Sequence, residues 1–200
     1  FGSRVIRNFM PDQHRDFYNQ LHFVFTGHAD KQGWPWASIL FNEPGFIRSS
    51  DEKSLEINSL PVKGDPLEDA LAENTRLGLL GIELSSRRRN RLSAHIVEHS
   101  ARGIRLEIDQ AFGNCPQYIQ TRELEMLDPK TLPEPIVTEI TRFDEEAKTL
   151  IANADTFFVA SYVNNDTSHA SEGADVSHRG GQPGFIRVDN DQTLTIPDYL

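Results

Sequence analysis

Arg87–Arg91 reads RRRNR, with Asn90 the one uncharged residue in the run. Arginine forks suit phosphate oxygens, because parallel N–H groups match two oxygens of one anion. Arg88, Arg89 and Arg91 are therefore candidate phosphate donors on an otherwise acidic chain. The competing reading is a charged strand edge that discourages pairing with another chain. A second candidate is SHRGG, Ser177–Gly181. Ser177 offers a hydroxyl and Arg179 a fork of donors. Gly180 and Gly181 let backbone N–H groups come close to an anion. A flexible loop would have the same composition.

Three other groups could carry chemistry. HIVEH, His95–His99, has the H-x-x-E-H spacing of some zinc hydrolases, which requires a helix. Leu92, Ala94 and Ile96 alternate instead and predict a strand, setting the histidines roughly 13 Å apart, too far to share one metal. Cys115 precedes Pro116, a plausible helix start, where a thiol can be activated. No nearby histidine is identifiable as its base, and a small buried cap residue is the better reading. Trp34 and Trp36 flank Pro35 and fit the core better than a stacking site for a flat ligand.

The elements that must carry these residues are mostly strands. Met10 and Pro11-Asp12 begin a helix with Phe17, Leu21 and Phe25 at four-residue spacing. Strands follow at 22–29, 36–41, 46–49 and 55–60, separated by turn residues, as in a meander that closes into a barrel or sandwich. Asp65 and Pro66 predict a further helix with Leu67, Ala70 and Leu71 inward. Leu77–Leu84 is an apolar strand. Residues 92–99 and 104–112 form a hairpin with one buried face. Gly113-Asn114 is a turn and 116–125 a short helix. Pro129, Pro133 and Pro135 mark 126–138 as a linker. A helix follows at 139–152, with Ile140, Phe143, Ala147 and Leu150 at helical spacing, and then a strand at 156–163.

The net charge of −10 argues against a general nucleic-acid binder. No apolar run approaches the roughly 20 residues of a membrane span, and no basic-then-apolar leader opens the chain. Cys115 is the single cysteine, so no intrachain disulfide forms, which fits a reducing, cytoplasmic setting.

PGFIR occurs at Pro44–Arg48 and again at Pro183–Arg187. Aligning the copies brings Leu55 onto Leu194 and Ile57 onto Ile196. Upstream, Phe23-Val24 falls on Phe158-Val159 if the second copy carries about four extra residues in the loop between. The match keeps strand alternation, and each copy follows a helix. It reads as a duplicated β unit, although Pro-Gly turns before Phe-Ile strands also arise independently. The second copy ends soon after its fourth strand, so either the chain runs on or another chain completes it.

MPDQHRDFY (10–18), PGFIR, LGLLGIELSSRRRNR (77–91), FGNCPQYIQTR (112–122), ADVSHRGGQPGFIRV (174–188) and IPDYL (196–200) together resemble the pyridoxamine 5′-phosphate oxidase-like, FMN-binding split-barrel family. The resemblance is to double-barrel members that often carry a ferredoxin-reductase-type domain downstream, and it spans nearly the whole chain. It implies a mainly β fold: an antiparallel split β-barrel with flanking helices, internally repeated, with the second repeat incomplete. The corresponding units are a helical segment at 1–20, a first split-barrel unit at 21–125, a linker and helix at 126–152, and the start of a second unit at 153–200. The resemblance further implies a flavoprotein oxidoreductase with its cofactor between paired barrels. Ser177, His178, Arg179, Gly180 and Gly181 would lie at the flavin phosphate, and Lys63 is the basic candidate in the first unit. The flavin would be FMN, with FAD or another flavin as alternatives. A C-terminal reductase domain or redox partner and a homodimer are the implied partners. The paired basic residues of true pyridoxamine-phosphate oxidases are absent, so the resemblance does not extend to the vitamin substrate. A non-catalytic split-barrel scaffold with a degenerate flavin site is the other reading.

Overall fold

A computed structural model of the chain describes residues 6–113, 115–128, 131–164 and 172–198. The expected turn residue Asn114, the linker residue Pro129 and the last two residues of IPDYL lie outside that set. The architecture is mainly β and antiparallel. Strands β1 (Phe23–Ala29), β2 (Pro35–Phe41), β3 (Ile47–Arg48), β4 (Ser54–Ile57), β5 (Arg76–Glu83), β6 (Arg88–Ser100) and β7 (Gly103–Gly113) form one sheet in the order β2-β1-β5-β6-β7-β4-β3. The sheet wraps around a core of Leu40, Ile47, Leu55, Leu77, Leu92, Ile96 and Leu106 without closing on itself. Helix α1 (Asp12–Asn19) plugs it with Phe17 and Tyr18, both fully buried. Tyr18 donates its hydroxyl to the Asn90 carbonyl at 2.9 Å, so the buried phenol has a partner.

A second, smaller set follows: α2 (Glu145–Asn153), β8 (Thr156–Val163) paired with β9 (Gly173–Gly180), and β10 (Arg187–Val188) paired with β11 (Leu194–Thr195). Its geometry repeats that of α1 and β1–β4. Pro44-Gly45 and Pro183-Gly184 occupy the centres of type II turns. Gly45 and Gly184 have φ of +90° and +85°, and Phe46 and Phe185 donate back to Glu43 and Gln182 at 3.1 and 3.0 Å. Arg48 pairs with Glu56 across β3–β4, and Arg187 with Thr195 across β10–β11, in the same register. Met10 N–H bonds the Glu52 carbonyl as Phe143 N–H bonds that of Asp191, both at 2.7 Å. Asn42 bonds His22 as Gly181 bonds Asp155, at 3.0 and 2.9 Å.

This correspondence corrects the sequence alignment. Phe41 pairs with Phe23, and Gly180 pairs with Thr156. Thr156 therefore holds the place of Phe23, and Phe158 that of Phe25. The shift is two residues, so every side chain keeps its face. Among the described residues the second set has no counterpart of β5–β7.

The two sets share an apolar layer. Phe23, Leu80, Ile82, Ile119 and Val176 form it, with Phe25, Ile39 and Phe158 packed against them. Strand β5 is thus covered on both sides: Leu77 and Leu79 face the first core, while Leu80 and Ile82 face the second. Two buried faces explain its near-continuous apolar sequence. Gly27 and Gly78 let β9 approach closely, because an added Cβ would stand 2.5 Å from the Asp175 carbonyl oxygen and 2.6 Å from that of Ala174.

Four local expectations fail, each for a physical reason. The helix expected after Asp65 shrinks to a 3-10 turn at Glu68–Ala70, since Leu67 and Ala70 alone are buried and Asn74 turns left-handed at φ 66°. Residues 116–125 are not helical: Tyr118 has φ 65°, and the chain extends to bury Ile119 between the two sets. Helix α2 begins only at Glu145, where Asp144 caps it by accepting from Ala147 N–H at 2.8 Å, which leaves Ile140 and Phe143 ahead of it. Trp34 and Trp36 are outside the core, 68% and 44% exposed, with the Trp36 indole donating to Asp30 at 2.8 Å.

Candidate functional site

The site grows from alternation on β6. Successive side chains of a strand point to opposite faces. Asn90 is buried, while Arg89 and Arg91 flank it and reach toward β9. Arg88 goes elsewhere, stacking its guanidinium 5.2 Å from the centre of the Phe17 ring.

SHRG is part of a strand rather than a loop, because Ala174, Val176 and His178 alternate inward along β9. Its side chains meet the β6 arginines. Arg91 Nη1 donates to Asp175 Oδ2 at 3.0 Å, and its Nη2 donates to Ser177 Oγ at 2.6 Å. Arg89 Nη1 donates to His178 Nδ1 at 3.3 Å. The His178 imidazole is pushed down to about 4, first by burial and then by the charges of Arg89 and Arg122, with Asp155 opposing. It is therefore neutral near pH 7 and accepts from Arg89 through Nδ1. Burial, Arg91 and Arg179 make the Arg89 charge less favourable, with Cys115 opposing. The Nε atoms of both Arg89 and Arg91 are buried without a hydrogen-bond partner.

The rim is polar and closed by the 116–122 segment. Gln120 donates to the Gly181 carbonyl at 3.1 Å, and Arg122 donates to Asp155 at 2.6 Å. The Gly180 position is filled by the Tyr118 carbonyl oxygen, which would collide with any Cβ there. Gly181 spends its N–H on Asp155. These glycines serve packing between segments in this structure, and Arg179 stands exposed beside them.

The structure thus brings together Arg89, Arg91, Ser177 and His178, with Arg179, Gly180 and Gly181 adjacent. Lys63 is exposed in the loop after β4, and no hydrogen bond or ion pair among the described residues joins it to the cluster. Asp175 was missed in the sequence. Its signal was its place two residues before Ser177, on the same side of a strand. HIVEH lies within β6, so His95 and His99 do not share a helix face, and His95 bonds Asp109 at 3.1 Å. Cys115 is exposed rather than a buried cap. Among the described residues no helix is long and apolar enough to cross a membrane.

No family model matches the sequence. No curated protein matches it either. Among solved structures, the chain is similar to the crystal structure of a variant of HupZ from Group A Streptococcus, with a TM-score of 0.40 and 11% identity. The match covers 52% of this chain and 99% of that one.

Proposed function

We propose that the chain is a flavin-binding module of an oxidoreductase, taking FMN by its phosphate along the face where β6 meets β9. The observation that carries this reading is Arg89. It is half-buried between the two sets of strands, its partner is a neutral imidazole, and its Nε has none. A guanidinium sunk among Arg91 and Arg179 without an anion is costly, and a phosphate would offset that cost. Arg179 would add a second fork from β9. The motif resemblance in 77–91 and 174–188 supports the flavin as the phosphate carrier. Redox chemistry would belong to the flavin, while the chain binds and orients it.

A second reading, a scaffold without cofactor, draws on Arg91. Its fork is already filled by Asp175 and Ser177, as in a packed interface. A visible absorption and fluorescence titration with FMN separates the two. Saturable binding, weakened by about 1.5–3 kcal/mol in Arg179→Ala, supports the flavin site. A protein that leaves FMN spectra unchanged at high micromolar concentration sinks it and favours the scaffold.

A further inference from the structure

A cavity of about 410 Å³ opens between the first turn of α1 and the β5–β6 turn. Gln13, His14, Ser86, Arg87, Arg88 and Arg89 line it, and no acidic side chain does. We infer that it is a binding site for a phosphorylated small molecule, a phosphate monoester held by the Arg87 and Arg88 guanidiniums with His14 in the cavity wall.

The charge balance points to an anion. Among the described residues the ion pairs occupy other arginines, and none joins a carboxylate to Arg87, Arg88 or Arg89. The acid of this turn, Glu83, is engaged by Gln20 at 2.8 Å and by the Ser86 hydroxyl. Arg88 is held in place by the Phe17 ring, so less side-chain freedom is lost on binding. No carboxylate lines the cavity in a protein of net charge −10, so the local excess of cations runs against the overall charge.

His14 is the second, independent observation. It is 8% exposed, lines the cavity, and its Nδ1 has no hydrogen-bond partner. Burial and the charges of Arg7 and Arg88 hold its pKa below the ordinary value, so the ring is a neutral polar group in a positive field. A buried polar atom without a partner is uncommon, and this one belongs to a ring in the wall of the cavity, where it senses any anion bound there. The cavity is larger than a lone phosphate needs and lies within the range of small-molecule sites. A sugar- or alcohol-linked phosphate suits it better than the free ion. The inference stands on Arg87, Arg88 and His14 and does not rest on the flavin reading: Arg89 lines this cavity too, but its Nη1 is turned to His178, and Ser177 and Arg179 do not line the cavity.

The test follows the His14 ring proton by NMR at pH 7 while glycerol 3-phosphate, inorganic phosphate or sodium chloride is added at matched ionic strength. The expected result is a saturable shift with glycerol 3-phosphate, a weaker one with inorganic phosphate, and none with chloride. Arg88→Gln should weaken the response at least tenfold. Arg87→Gly should weaken it severalfold, and it keeps the fold because Arg87 sits at φ 56°, where glycine is at ease. Arg179→Gln should leave it unchanged, whatever happens to FMN. A response equal to that of chloride, or one indifferent to both Arg87→Gly and Arg88→Gln, overturns the proposal.

Discussion

Phe25 and Phe158 stack on each other, ring centroids 3.4 Å apart and 18° from parallel. They are equivalent positions of the two repeated sets, Phe25 opposite Ile39 on β2 and Phe158 opposite His178 on β9. The stack is a contact between equivalent positions, and it joins the two repeated sets through β1 and β8.

That contact should be energetically visible. Phe25→Ala and Phe158→Ala should each destabilise the protein by roughly 2–4 kcal/mol, below full-burial costs because both rings are partly exposed. The double variant should show a coupling of about 1 kcal/mol. Urea unfolding of the four proteins measures it, and strict additivity would mean that the rings do not support each other.

Gly78→Ala tests the close approach of β9. Its new Cβ would stand 2.6 Å from the Ala174 carbonyl oxygen and from the Asp175 Cα. Backbone cannot yield as a side-chain tip can, so a loss of about 1–3 kcal/mol is expected. Gly113→Ala, whose Cβ would meet nothing nearer than 3.8 Å, is the control.

The two helices should differ sharply. Phe17 on α1 is fully buried, whereas Leu150, its counterpart on α2, is 74% exposed. Phe17→Ala should cost about 3–5 kcal/mol. Leu150→Ala should stay within about 0.5 kcal/mol. Thermal melts of both variants decide it, and a large loss from Leu150→Ala would show that its face is covered in solution.

Acid should weaken the protein through His178. Its folded pKa lies near 4, below the unfolded value near 6.5. Between these values the unfolded chain binds a proton that the folded chain refuses. Stability is therefore full above pH 6.5 and falls as pH drops toward 4, by on the order of 3 kcal/mol for this group. His14 and His28 are shifted the same way by burial and add to the slope. Urea unfolding at pH 7 and pH 4.5 should show a smaller difference in His178→Gln than in the native chain. An equal difference in both would place the slope elsewhere.

Much of this was legible along the chain. Period-two alternation marked β6 and β7, and the apolar run at 77–84 marked β5. The two PGFIR segments marked equivalent turns, because a type II turn needs its proline and glycine at fixed places. The arginine run and SHRG were legible as polar clusters. Their meeting was not: Arg91 and Ser177 are 86 residues apart in sequence, and their hydrogen bond exists only because β9 crosses β5 and β6. Trp34 and Trp36 misled for the same reason, since a residue type does not say which side of an edge strand, or of the turn leading into it, is covered.

The sequence by itself determined the β-rich architecture, the repeat and the candidate residues, because these follow from local periodicity and turn chemistry. Only the tertiary structure decided that Arg91 is spent on Asp175 and Ser177 while Arg89 is left facing a neutral histidine. It also decided that Gly180 packs against Tyr118. Which partner neutralises a charge depends on distances between strands far apart in the chain. Those distances are set by how closely β9 packs over Gly27 and Gly78.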